Sequence, residues 1–425
     1  MSRLLTPLHT FRQFHRDVQL LLLATAILAI SFFGIQALLK ILYILRLGYG
    51  PEYVGLFNAS GALGYMTMSL PSGWLGERWG NSRTMVLGAL VTVVGMAMLP
   101  LTETLPLWAR DAWPIASQIL GAGGYALFSI NFVPALMALT TPETRTSAYA
   151  MSSTLRSLGT LVGTTSGGLL PGLLAGFLGV GLDAASPYRL GLWVGPVVAL
   201  LAVLPLLRTR EAGIVQNVEE AKTGGSFPMA PVGLIILFVI LGQAANASCQ
   251  SFCSAYMDAE LGLSPATIGL IAGAGQFAAI FAPMFLPRLT RRRGNGWALL
   301  VITLGSATSL LPLILLRTGA GAALGRFGTL ALGAMWMPML QVYQMETIPA
   351  RWRSLAYGAV STAMGMSFAL MSYTGGYVAS AWGYTALFSL GFTLSISAAA
   401  LMHFLVRHPN LMAVDAPQPA PSTGD

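Results

Sequence analysis

The sequence predicts an all-α integral membrane protein of twelve transmembrane helices, arranged as two pseudo-symmetric six-helix bundles. Three observations carry this. Of 425 residues, 55% are apolar and only 9% charged, with a mean hydropathy of +0.69; a soluble domain is nearer a quarter charged. Apolar stretches of about 20 residues, the length that crosses a hydrocarbon core, recur along the whole chain. A tight charged link between the second and third stretches has an echo 214 residues later.

In order, the spans fall at about 18–45, 52–75, 84–101, 112–139, 147–176 and 188–207, then 231–256, 265–287, 296–316, 325–347, 354–380 and 384–406. Residues 1–17 carry Arg3, Arg12 and Arg16. The first span is too long for a signal-peptide core and lacks a small-residue cleavage site, so it reads as a retained helix. Residues 208–230 are the longest polar insert and link an N-terminal bundle, 18–207, to a C-terminal bundle, 231–407. The Pro-containing tail, 408–425, has a disordered composition. With the N-terminus inside, sixteen of the 23 Lys and Arg lie in inner segments and five in outer ones, Arg326 among the five; Lys40 and Arg156 fall within spans. The excess assigns both termini to the cytoplasm, in a cell inner or plasma membrane.

The link, Gly73 to Arg83, packs Glu77, Arg78, Arg83 and three glycines into eleven residues. In the echo, Leu75, Arg78, Gly80 and Asn81 find Leu289, Arg292, Gly294 and Asn295. At an offset of 208, Arg145, Tyr149, Gly167 and Gly168 meet Arg353, Tyr357, Gly375 and Gly376. At an offset of 214, Gln36 meets Gln250 and Gly55 meets Gly269; at 204, Pro134 meets Pro338. Two six-helix halves related in this way are an architecture of secondary transporters.

The formal charge of +8 sits in short loops between spans, which is an orientation signal and not a nucleic-acid footprint. Cys249 and Cys253, four residues apart, share a helix face as small packing groups and offer no metal spacing. The four histidines lie near the chain ends, and no acid, base or nucleophile cluster is visible. No enzyme activity, metal or cofactor is therefore expected.

The link resembles the signature loop of the major facilitator superfamily, Gly-x-Leu-x-Asp-Arg-x-Gly-Arg-Arg/Lys. Gly73, Leu75, Arg78 and Gly80 match, Glu77 takes the acidic position, and Asn81 and Ser82 replace basic ones, with Arg83 nearby. The resemblance covers Val18 to Arg407 and points to the 12-helix drug and metabolite exporter branch of bacterial type. It implies that Glu77 braces the inner gate against the positive end of the eleventh helix near Ser354, with Arg145 or Arg353 beside it. The plainer reading is that these charges solvate a loop. In span five, Gly159, Gly163, Gly167 and Gly168 resemble the glycine motif of family antiporters, with Thr164 in place of its proline; ordinary small-residue packing explains them equally well. Span four lacks the Arg-x-x-Gln-Gly of proton-coupled exporters, having Ser117 and Leu120 at those positions.

In the family, helices one, four, seven and ten line a central cavity. On that resemblance, and on helical spacing, candidate solute-binding residues are Phe33, Gln36 and Lys40 in span one and Tyr125 and Asn131 in span four. Span seven adds Gln243, Asn246 and Gln250, and span ten Trp336, Gln341 and Tyr343. Aromatics with a few placed polar groups suit a small-molecule pocket. The alternatives are interhelical bonding for the amides, packing for the aromatics and snorkelling for Lys40. Arg156 either faces the cavity or bonds backbone carbonyls near the inner gate.

No acidic residue falls near mid-span, so a proton-carrying carboxylate is absent, and two intramembrane cations favour an anionic or neutral polar solute. The expected function is alternating-access movement of a small organic solute, with efflux favoured. Import or uniport, or a sensor without flux, are the alternatives. The expected partners are the solute, the lipid bilayer and, with the ion left open, a coupling ion; the chain is expected to act as a monomer.

Overall fold

Link chemistry decides where each helix starts and stops. A computed structural model of the chain describes residues 14–209, 227–349 and 352–412. These form twelve helical rods. α1 is Arg16–Arg46, α2 Pro51–Trp79, α3 Asn81–Met98, α4 Ala112–Leu139, α5 Pro142–Leu178 and α6 Ser186–Arg208. α7 is Met229–Ala259, α8 Pro265–Phe281, α9 Arg293–Leu315 and α10 Gly319–Thr347. α11 and α12, 353–382 and 384–407, are divided at Gly383.

Proline at the first turn starts α2, α5 and α8, where a missing N–H costs no helical bond. Thr141 adds a capping box to α5, and Ser264 accepts the Thr267 amide at 3.3 Å to cap α8. Gly80 turns the chain between α2 and α3 at φ 93°, and Gly294 makes the matching turn at the start of α9 at φ 79°. Side chains with a Cβ rarely adopt that region. The paired glycines of the link and its echo thus share one backbone job.

Nine helical stretches among the described residues are long and apolar enough to cross a membrane, and one of them, Leu355–Arg407, holds two rods. α2 and α10, at 29 residues or roughly 43 Å, have the length but more glycine and polar side chains. α10 begins six residues earlier than its apolar stretch indicates. Arg326 therefore lies two turns inside it and not in an outer segment. The chain at 210–226 and 413–425 lies outside the described residues, as do 1–13, so the linker and most of both tails do too. Pro409–Met412 forms a short helical turn, with Met412 buried against the second half.

Core packing places the two halves. One buried cluster, from Phe14 to Leu206, belongs to α1–α6 alone. A second, from Val232 to Met412, belongs to α7–α12 alone. Both lie towards the terminal end of the molecule, where the described residues begin, at Phe14, and stop, at Met412. A third is shared: Tyr43, Phe57 and Tyr188 pack in the same cluster as Phe252, Tyr256 and Phe388 at the far end.

The shared end is drawn tight by backbone contact. A Cβ at Gly55 of α2 would collide with the Ser372 carbonyl of α11 and lie 2.9 Å from Gly376. A Cβ at Gly269 of α8 would lie 2.8 Å from both Gly168 and the Thr164 carbonyl of α5. Gly376 likewise meets the Pro51 carbonyl and Gly168 the Pro265 carbonyl, at 2.7 to 2.8 Å. The two seams are images of one another under the offsets of 214 and 208. Arg46 and Asp258 close the same end with a two-pronged ion pair, 2.6 and 2.7 Å, from α1 to α7. At the terminal end α2 and α11 part: a Cβ at Gly73 or at Gly358 would touch nothing. The described residues adopt a state closed at the far end and open towards the termini.

Candidate functional site

Between the halves lies a cavity of about 410 Å³, within the range usual for small-molecule sites. α1 contributes Phe33, Ala37 and Leu38, α5 contributes Arg156, Ser157, Thr160 and Thr164, and α7 contributes Gln243, Asn246, Gln250 and Ser254. α8 adds Gln276, and α10 adds Arg326, Thr329 and Trp336. Both halves thus supply polar groups, and no Asp or Glu among the described residues lines the cavity.

The span-seven stripe is brought together. Gln243, Asn246 and Gln250 turn one face of α7 to the cavity, and the Asn246 amide packs against Gly333 of α10. Trp336 is buried, donates its indole N–H to Thr303 at 3.1 Å and stacks on Phe238 at 6.0 Å between centroids. Phe33 meets Tyr125 edge-on at 4.9 Å, and Tyr125 stacks on Phe32 at 5.0 Å. Tyr125 thus supports the wall formed by Phe33 without lining the cavity. It also lies where it interacts with Arg156, which does line it.

Other candidates lie elsewhere. Gln36 is buried inside the first half: its Nε2 reaches the Met96 carbonyl at 3.5 Å and its Oε1 has no partner. The reason is local. α1 takes a π-helical course over Ala29–Gln36, so a spacing of three or four no longer keeps one face. Phe33 then faces the cavity while Gln36 faces α6 at Gly195. Lys40 also points into the first half; it donates to Gln118 Oε1 at 3.2 Å and lies within 6 Å of the Phe32 and Phe57 rings. Asn131 is buried and donates to the Ser72 carbonyl of α2 at 3.1 Å, beside Gly76 of the link. Gln341 bonds the Tyr357 hydroxyl at 3.3 Å in a shallow recess at the terminal end, and Tyr343 lies in another with Asn295.

Of the gating set, Glu77 and Arg78 are exposed, Gly73 and Gly80 lie at the open end, and the Glu77 carboxylate has no partner among the described residues. The Ser354 side chain lies outside them. Arg353 donates to the Ile348 carbonyl at 3.1 Å, and Arg145 is half-buried with an unpartnered Nε. Arg83 makes an interaction of its own. In α5, Gly159, Gly163 and Gly167 all meet α1, at Ala26, at Ile30 and Gly34, and at Ile35. Gly168 alone turns to the other half.

Arg326, Gln276 and Thr160 are lining residues that spacing did not single out. Arg326 donates to the Cys249 carbonyl at 2.7 Å and keeps a buried Nε without a partner. Cys249 and Cys253 are buried free thiols, and no group of His, Cys, Asp or Glu fit for a metal occurs among the described residues.

The Major Facilitator Superfamily model matches residues 21–248 and 232–423. No curated protein matches the chain. Among solved structures, the nucleoside transporter NupG superposes with a TM-score of 0.71 at 12% identity, over 92% of this chain and 100% of that one. The xylose transporter XylE of E. coli, in an inward-open conformation, gives 0.68 at 15% identity over 89% and 94%. A bacterial homologue of the human lysosomal transporter Spinster, inward-facing and unoccupied, gives 0.67 at 16% identity over 93% and 96%. At such identities these likenesses establish the fold. The family match spans nearly the whole chain, and the chain belongs to the Major Facilitator Superfamily, whose members are membrane transporters of small solutes.

Proposed function

We propose that the chain moves a small organic solute across the cytoplasmic membrane by alternating access, with the central cavity as its binding site. One observation carries the reading: a polar cavity lies between two halves that share a core at one end only. Rocking the halves would close the terminal end and part the far end around the same site. The charge count supports both termini in the cytoplasm, which makes the open end the inner one. The units are 18–207 and 231–407, joined by 208–230, and the protein works as a monomer.

Within this reading Phe33, Gln243, Asn246, Gln250 and Trp336 contact the solute directly. Gln36, Lys40, Tyr125 and Asn131 act through the packing of the first half. Glu77 engages the start of α11 only when the inner end closes, consistent with its exposure in the open state. The solute is anionic or neutral and polar, because the cavity carries cations and no carboxylate. The span-five glycine motif favours efflux, by exchange. A thermal-shift screen of metabolites on purified protein, followed by counterflow of the hits in proteoliposomes with and without a pH gradient, tests this. Counterflow is expected; a hit that binds but never exchanges would favour a sensor.

A further inference from the structure

Two arginines, one from each half, line the central cavity without a carboxylate partner among the described residues, Arg156 exposed and Arg326 part-buried. We infer that they form a two-ended anion site: the solute is a small organic dianion, with one negative group held at Arg156 and the other at Arg326. The inference rests on the alternating-access reading and names its substrate class.

A guanidinium stays charged in a protein, and an unpaired charge in a membrane interior is costly. The Arg326 guanidinium donates to the Cys249 carbonyl at 2.7 Å and reaches the Cys249 sulfur at 3.8 Å, and its Nε has no partner among the described residues. Arg156 lies beside the Tyr125 phenol. Two carboxylates away from the cavity are already paired: Asp258 with Arg46, and Glu103 with Arg189 at 3.2 Å. The other polar groups of the wall are amides and hydroxyls, including Gln250, Gln276 and Thr329. When the halves close, water leaves and the field between like charges strengthens. A solute carrying two negative charges offsets both.

Depth along the bundle gives the spacing. α5 and α8 run antiparallel, with Gly168 against Gly269 and Thr165 against Gly273. Arg156, nine residues before Thr165, is then level with about position 282, just past the end of α8. Arg326 is level with Gly275, whose Cβ would lie 3.4 Å from the Arg326 carbonyl. The two stations differ by about seven residues, or roughly 10 Å along the axis. These are backbone stations, from which the two side chains extend into the cavity; a span of that order leaves room for two anionic groups joined by a short chain.

The test is calorimetric binding to the full-length protein in nanodiscs, using unbranched α,ω-dicarboxylates from malonate to suberate, their monoamides and their diamides. Affinity is expected to peak at one chain length, to fall in the monoamide and to vanish in the diamide. Arg156→Gln and Arg326→Gln should each weaken the best dicarboxylate about 30-fold and make it no better than its monoamide. Lys at either position should restore part of the loss, with melting temperature reporting on the fold. Equal binding of diamide and dicarboxylate, no binding of any dicarboxylate, or an undiminished dianion preference in a folded Gln variant would each overturn the site. Counterflow of a neutral solute that dicarboxylates fail to inhibit would overturn it while sparing alternating access. Dicarboxylate binding without exchange would support it while sinking the transport reading.

Discussion

Gln250 and Asn131 are both amides on helices beside the interhelical space, but they face different surroundings. Gln250 is exposed to the cavity; Asn131 is sealed between α4 and α2, where it bonds the Ser72 and Leu127 carbonyls. Gln250→Ala should therefore raise the Km for the solute about five- to tenfold, through loss of a hydrogen bond worth about 1 kcal/mol, with little change in melting temperature. Asn131→Ala should do the reverse, lowering the melting temperature by a few degrees while Km stays within twofold. Kinetics and thermal unfolding on both variants check the pair. The span-seven stripe could be read from spacing because α7 stays near helical period through it. Gln36 could not, since the π-helical stretch of α1 leaves no mark in the order of residues. Arg326 was legible as a charge but not as a cavity charge. The glycine-rich opening of α10, from Gly319, hides where that helix begins.

At the scale of elements, the far end closes along two seams where helices meet backbone to backbone. A side chain at these positions has nowhere to go, because its neighbours are carbonyl oxygens and Cα atoms and not flexible tips. Gly376→Val in α11 and Gly168→Val in α5 should each hold the far end apart. A Ser254→Cys reporter, which lines the cavity on α7, should then react several times faster with an impermeant thiol reagent added on the far side. Unchanged labelling would argue against the seams as the closure. These contacts were half legible. The repeat offsets pair Gly55 with Gly269 and Gly168 with Gly376, but a repeat says which positions are equivalent and not which ones touch. The contacts run between the halves, Gly55 with Gly376 and Gly269 with Gly168, and each is the repeat image of the other.

For the whole molecule, the balance between its two states depends on interactions present in only one of them. Arg46–Asp258 is such an interaction: it joins α1 to α7 at the closed end, with side chains 17% and 4% exposed. Asp258→Ala should shift the population towards the state open at the far end, again read by Ser254→Cys labelling. The exchanged pair, Arg46→Asp with Asp258→Arg, should shift it back. Failure of the exchange to restore closure would show that the residues act separately. The fold itself was the most legible level. Apolar length, an even number of spans and one glycine-bearing link with its echo are properties of membrane solubility and chain reversal, which local sequence encodes. The arrangement of the halves depends on distant contacts and is not.

The glycine seams have one more consequence. Main-chain atoms are the same in every protein, so hinges made from them are indifferent to cargo. Selection can rewrite the side chains around the chamber, and with them the molecule's diet, without touching the parts that swing.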